Sequence, residues 1–169
     1  DGLQSLTVSP TFEDDGWVYL YYAPPLDTPA GDAPNDGTAE QFAAWKGYNV
    51  LSRMKMVGDD LDPSTEQELL KVDADRGICC HVGGDIVFDS KGNLILSTGD
   101  DSNPFQSDGY VPLDERSDRN PAFDAQRTAA NTNDLRGKIL RITPKAKGGY
   151  SIPKGNLFRK GTPKTRPEI

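Results

Sequence analysis

The chain has little of what a zinc site, a membrane span or a nucleic-acid surface requires. Its 169 residues hold one histidine, two cysteines and two methionines. A structural zinc ion takes four ligands, usually from two cysteine pairs or from cysteines with several histidines, so His81 with the adjacent Cys79 and Cys80 does not suffice. No stretch is long and apolar enough to cross a bilayer as a helix. Basic residues are in deficit: 19 Lys and Arg against 26 Asp and Glu leave a formal net charge of −7, which argues against nucleic acid or an anionic membrane as a partner. An initiator Met and a leader are also missing. The ends, Asp1-Gly2-Leu3 and Arg166-Pro167-Glu168-Ile169, read as set by processing or cleavage, so a piece of a longer protein is expected.

What the chain has in quantity is turn chemistry. Its 17 Gly and 13 Pro are more than a helical domain tolerates, so turns are frequent and strands short. Apolar runs rich in β-branched and aromatic residues predict strands over Leu3 to Val8, Trp17 to Tyr22, Tyr48 to Val57 and Gln67 to Val72. The turn Glu13-Asp14-Asp15-Gly16 separates the first two, and Ala23-Pro24-Pro25 ends the second. Residues 26–47 read as a long loop with one helical turn near Glu40 to Trp45. A second cycle follows: strands over Asp85 to Phe88, Asn93 to Thr98 and Lys138 to Thr143, with Asp89-Ser90-Lys91-Gly92 as the first turn and a long polar insertion at 99–136. The tail reads as turns.

The two cycles share a layout of apolar strand, acidic turn ending in Gly, and apolar strand. Repetition of a few short antiparallel strands is the mark of a propeller blade. The expected fold is therefore all-β, a β-propeller segment of about two blades, with residues 1–78 in the first, 79–150 in the second and 151–169 leading onward. A meander or sandwich with accidental internal similarity is the alternative.

Three features could carry chemistry. Cys79 and Cys80 can close a vicinal disulfide in an oxidising compartment, or stand as two reduced thiols on an extended segment. His81-Val82-Gly83-Gly84 precedes a strand, and two glycines let the backbone approach a ligand closely. Asp100 ends the strand that pairs with it, so hairpin geometry can bring Asp100 to His81, where a carboxylate would fix the imidazole tautomer of a general base. A packed histidine and a turn-capping aspartate are the bland readings. Thirdly, the insertion holds Asp100, Asp101, Asn103, Asp108, Asp114, Asp118, Asp124, Asn131, Asn133 and Asp134. These oxygens could bind calcium, but no EF-hand spacing is present, and a solvated loop held by Asx-turns is the preferred reading.

Four segments, in order, resemble the soluble glucose/sorbosone dehydrogenase family of quinoprotein sugar dehydrogenases. They are Asp1-Gly2-Leu3 with Pro10 and Gly16 to Tyr22; His81-Val82-Gly83-Gly84 with Asp89 to Leu94 and Gly99-Asp100; Leu135 to Ile142; and Ile152-Pro153 with Asn156, Phe158 and Arg166 to Ile169. The Cys pair and the acidic insertion resemble a secreted, actinobacterial-type branch. The resemblance implies a six-bladed propeller that oxidises an aldose or oligosaccharide at its anomeric carbon, with PQQ as hydride acceptor and Ca2+ as Lewis acid. His81 would be the general base, Asp100 its orienting partner, and Gly83 and Gly84 part of the cofactor-binding edge. It further implies a sugar substrate, the remaining blades as partners, and a secreted or periplasmic location. The family's cation cluster and calcium-binding carbonyls fall mainly beyond Ile169, and its upstream glutamine has no counterpart here. A non-catalytic secreted propeller that binds carbohydrate or protein, and a purely structural propeller, are the rival functions.

Overall fold

A computed structural model describes residues 2–169. Strands β1 (Leu3–Val8), β2 (Trp17–Tyr22), β3 (Tyr48–Val57) and β4 (Asp60–Asp73) form one antiparallel sheet in chain order. Strands β5 (Ile86–Phe88), β6 (Leu94–Ser97), β7 (Ile139–Pro144) and β8 (Tyr150–Ser151) form a second, again in chain order. The first strands of the two sheets lie side by side, where the Ser5 hydroxyl donates to Asp85 Oδ1 (2.6 Å) and accepts from the Ile86 N–H (3.2 Å).

Each acidic turn works through its carboxylate. In the first sheet the chain between β1 and β2 closes as a single helical turn, α1 (Phe12–Asp15), which Gly16 ends at φ 60°. Asp15 accepts from the Ser9 and Thr11 hydroxyls and the Trp17 N–H. Burial works to raise the Asp15 carboxyl, but those bonds outweigh it and hold the group below its usual value. In the second sheet Asp89 Oδ1 accepts from Lys91 N–H (2.8 Å) and Asn93 N–H (2.9 Å). The helical turn expected near Glu40 is α2 (Ala39–Ala43), opened by a Thr38–Gln41 capping box.

β4 starts at Asp60, seven positions before the expected Gln67. Lys55 pairs with Asp62 and Arg53 with Gln67, so the residues around Pro63 bulge out between two paired stretches. A proline is tolerated there because the bulge needs no ladder donor, and the Thr65 hydroxyl accepts the Lys55 N–H (2.8 Å) in its place. β8 lies in the tail and completes the second sheet.

The sheets pack face to face. Tyr19, Tyr21, Leu51 and Leu70 meet Ile86, Leu94, Leu96, Leu140 and Ile142 in one cluster, and the Tyr19 and Phe88 rings meet edge to face at 5.0 Å. Leu51, Leu94, Leu96 and Leu140 are fully buried; each stabilises the fold by about 1.5–3 kcal/mol. Leu6 and Val8 pair with Leu20 and Val18, on the face opposite Tyr19 and Tyr21. Leu6 (55 %) and, on the far side of the second sheet, Ile139 (63 %) are exposed apolar residues.

The antiparallel order puts the end of β2, the start of β3, the end of β4, the start of β5, the end of β6 and the start of β7 at one edge. Both long loops, and the crossover at 74–85, therefore emerge together.

Candidate functional site

The site grows from the hairpin of β5 and β6. Their ladder continues past the strand ends in steps of two: Ser97 N–H to Asp85 O (2.9 Å), Gly99 N–H to Gly83 O (2.8 Å) and Asp101 N–H to His81 O (2.7 Å). His81 and Asp100 are thereby carried to the same corner, with His81 Nδ1 3.2 Å from Asp100 Oδ1. The approach is close enough to require Gly99, since a Cβ there would lie 1.9 Å from His81 O. Gly84 is likewise constrained, by Ser97 O and the Tyr21 ring, whereas the missing Cβ of Gly83 faces open space.

A third side chain completes the corner. The Ser102 hydroxyl donates to Asp100 Oδ1 (2.8 Å) and lies 2.9 Å from His81 Nδ1. Its one proton is committed to the carboxylate, so toward His81 it can only accept. Nδ1 therefore carries the ring proton and Nε2 the lone pair. Among the described residues no partner holds Nε2, and the His81 side chain is 48 % exposed. An imidazole with its inner nitrogen fixed and its outer nitrogen bare is built to accept a proton. The sequence pointed to His81 and Asp100; it did not point to Ser102. The signal was there in the Asp-x-Ser spacing of an Asx-turn, which Asp100 Oδ1 and the Ser102 N–H form (3.1 Å).

Asp101 turns the other way and is 1 % exposed. Its carboxylate accepts from Arg136 (2.8 Å) and the Asp75 N–H (3.1 Å), and its carbonyl accepts from Arg127 (2.6 Å). Burial and the neighbouring Asp75 carboxylate push the Asp101 carboxyl up to about 6, against the pull of Arg127 and Arg136. Arg136 also grips Asp134 in a two-bonded fork. Burial works to raise Asp134, but the fork outweighs it and holds that carboxyl below its usual value. A cavity of about 360 Å³ opens beside this network, with Phe42, Trp45, Asp75, Arg76, Arg127 and Arg136 among its walls.

The acidic insertion is an array of Asx-turns. Asn103, Asp114, Asn120, Asp124, Asn131 and Asp134 each accept, through a side-chain oxygen, the N–H two residues on. Among the described residues no group of three or more His, Cys, Asp or Glu could hold a metal ion. The insertion is also tied to the loop at 26–47: Asn120 N–H donates to Asn35 O (2.9 Å), and Asn120 Nδ2 donates to Pro34 O (2.9 Å). Next to His81, Cys79 and Cys80 are joined as a disulfide.

Comparison with known families decides the lineage: a model described as Glucose / Sorbosone dehydrogenase matches residues 1–169. The chain belongs to the glucose/sorbosone dehydrogenase family. Among solved structures, this family member superposes on a glucose dehydrogenase with a TM-score of 0.62, at 22 % identity over 99 % of its own length and 36 % of the other chain. The soluble aldose sugar dehydrogenase from Escherichia coli, in its apo-form, gives a TM-score of 0.59 at 21 % identity, over 99 % and 36 % of the two chains. A PQQ-bound aldose sugar dehydrogenase from Streptomyces coelicolor is 25 % identical over 98 % and 35 %, with a TM-score of 0.46. No curated protein matches the chain. The glucose/sorbosone dehydrogenase chain described here is thus a β-propeller segment that spans 36 % of the length of the first two structures. No helix among its described residues is long and apolar enough to cross a membrane.

Proposed function

We propose that this segment carries the general base of an exported sugar dehydrogenase, and that the base is His81. The observation that supports this is the geometry at Nδ1: Asp100 Oδ1 (3.2 Å) and the Ser102 hydroxyl (2.9 Å) both face it, which leaves Nε2 at an exposed edge. Oxidation of an aldose or oligosaccharide at the anomeric carbon removes a hydride from carbon and a proton from the hydroxyl, giving a lactone. His81 Nε2 accepts that proton. Asp100 holds the ring in the productive orientation and stabilises the imidazolium that results.

PQQ, which the resemblance implies, supplies the two-electron sink for the hydride when bound. The residues here fit part of such a site. Gly83 leaves an open backbone edge beside His81, where a flat cofactor could approach. A tricarboxylate also needs cations, and Arg127 and Arg136 already serve Asp75, Asp101 and Asp134. The cations and any calcium ligands are expected in the rest of the protein, as are the blades that cover Leu6 and Ile139. A secreted or periplasmic location accords with the disulfide, since such bonds persist in oxidising compartments.

The test is His81→Gln in the full-length protein, reconstituted with PQQ and calcium and assayed with an aldose and an artificial electron acceptor. Loss of a general base lowers the rate by about a hundred- to ten-thousand-fold, or about 3 to 5 kcal/mol of activation free energy. Stability should move by no more than about 1 kcal/mol, because a half-exposed ring makes few core contacts. Unchanged turnover would sink the assignment, and a protein without aldose oxidation at all would favour a carbohydrate-binding propeller.

A further inference from the structure

We propose that the Cys79–Cys80 disulfide is a positioning element for His81, an inference that rests on His81 being the base. A disulfide stabilises a fold chiefly by closing a loop in the unfolded chain, and the effect shrinks as the loop shortens. Cys79 and Cys80 are adjacent, so this bond closes no loop between elements. Its consequence must be local. The second cysteine and the residue after it are in the left-handed region, Cys80 at φ 75° and His81 at φ 54°. Non-glycine residues seldom adopt that region, and two in succession need an external constraint.

The constraint on the C-terminal side is visible: His81 O accepts the Asp101 N–H, Gly83 O accepts the Gly99 N–H, and Asn49 Nδ2 holds Val82 O (2.9 Å). On the N-terminal side, no hydrogen bond among the described residues engages the backbone N–H of Cys79, Cys80 or His81, and the covalent tie takes that place. Both cysteines are exposed in this chain, so the tie does not serve the core. With Cys80 held at positive φ, the His81 ring points to Asp100 and Ser102. Once the tie is cut, Cys80 is free to return to the extended region, which swings the ring away and releases the Nδ1–H tautomer.

The test uses full-length protein in three forms: oxidised, reduced with a water-soluble phosphine, and carrying Cys79→Ser with Cys80→Ser. Reduction breaks one S–S bond, forms two S–H groups and converts the phosphine to its oxide with oxygen from water. Two readouts are followed besides the melting temperature. One is turnover with an aldose. The other is the 15N spectrum of the His81 ring, assigned by its loss in His81→Gln, which distinguishes Nδ1–H from Nε2–H. Opening the disulfide should lower kcat by about ten- to a hundred-fold at little change in KM, shift the ring toward a mixture of tautomers, and leave the melting temperature nearly unmoved. Reoxidation should restore the reduced sample. If the ring spectrum changes while the rate does not, positioning stands and the general-base reading falls. If neither changes, the proposal is overturned; if melting collapses with the ring spectrum intact, the bond is structural and the proposal is overturned as well.

Discussion

Alanine in place of Gly99 should damage catalysis and stability together, and the size of the effect can be worked from geometry. The added Cβ would stand 1.9 Å from His81 O, 2.4 Å from His81 C and 3.0 Å from Val82 N, where real Cβ atoms essentially never come under 3.0 Å. The obstacles are backbone atoms, so no side chain can swing clear. The His81 peptide must retreat by about 1 Å, a misplacement that can cost about a hundred-fold in rate. Overpacking of this kind costs about 1–3 kcal/mol. Weakening of the Gly99–Gly83 or Asp101–His81 bond adds about 0.5–1.5 kcal/mol, for a total of about 1.5–4.5 kcal/mol. Gly83→Ala is the internal control. Nothing lies within 4 Å of its missing Cβ, so the apo protein should melt within about 0.5 kcal/mol of wild type. If the cofactor approaches along this edge, only the PQQ concentration needed for activity should rise. Turnover and urea denaturation of both variants in the full-length protein give the answer. Wild-type turnover and stability in Gly99→Ala would refute the clamp.

Two further outcomes follow from the packing and the charges. Asp134 has a folded-state carboxyl held below its usual value, so the stability it lends is complete above about pH 4 and is lost as pH falls through the lowered value; Asp134→Asn should lower the melting temperature at neutral pH and flatten its decline between pH 5 and 2, and an unchanged slope would contradict the Arg136 fork. Leu6→Asp and Ile139→Asp alter residues that are 55 % and 63 % exposed here, which for a true surface would cost within about 0.5 kcal/mol; if further blades cover these faces, each should cost more than about 2 kcal/mol in the full-length protein, read from its denaturation midpoint.

Most strands were legible because their residues obey one rule at a time. Trp17–Tyr22 is a buried aromatic and β-branched run; Ile86–Phe88 and Leu94–Ser97 flank a turn whose Asp89 writes its own hydrogen bonds. The early part of β4 was hidden by Pro63, which reads as a terminator until a bulge accommodates it. β8, at two residues, is too short to show any period. In the site, His81 and Asp100 were accessible through hairpin logic, since adjacent strand ends must meet. Ser102 escaped because one serine in a polar loop carries no periodic signal. The Asp75–Asp101–Arg127–Arg136 network escaped for a different reason: its members come from separate turns, and only the folded loops bring them together. The insertion's oxygens admitted a calcium loop or Asx-turns, and Asn103, Asp114, Asn120, Asp124, Asn131 and Asp134 form the turns.

The position of His81, the proposed base, is inherited from sheet register. Ile86 pairs with Leu96, and the same register runs outward through Asp85–Ser97, Gly83–Gly99 and His81–Asp101. Strict alternation would send the side chains of the opposed His81 and Asp101 to one face. Here they part, and both residues depart from strand geometry into the left-handed region, at φ 54° and 56°. Asp101 is turned inward to the arginines and His81 outward to Asp100 and Ser102. A slip of one residue in the β5–β6 pairing would undo both placements at once. The core leucines that pin this register, Leu94 and Leu96 against Leu140 and Ile142, therefore act on the chemistry without touching it. The buried arginine network holds one half of the pair; the Gly99 contact and, in the proposal above, the disulfide hold the other.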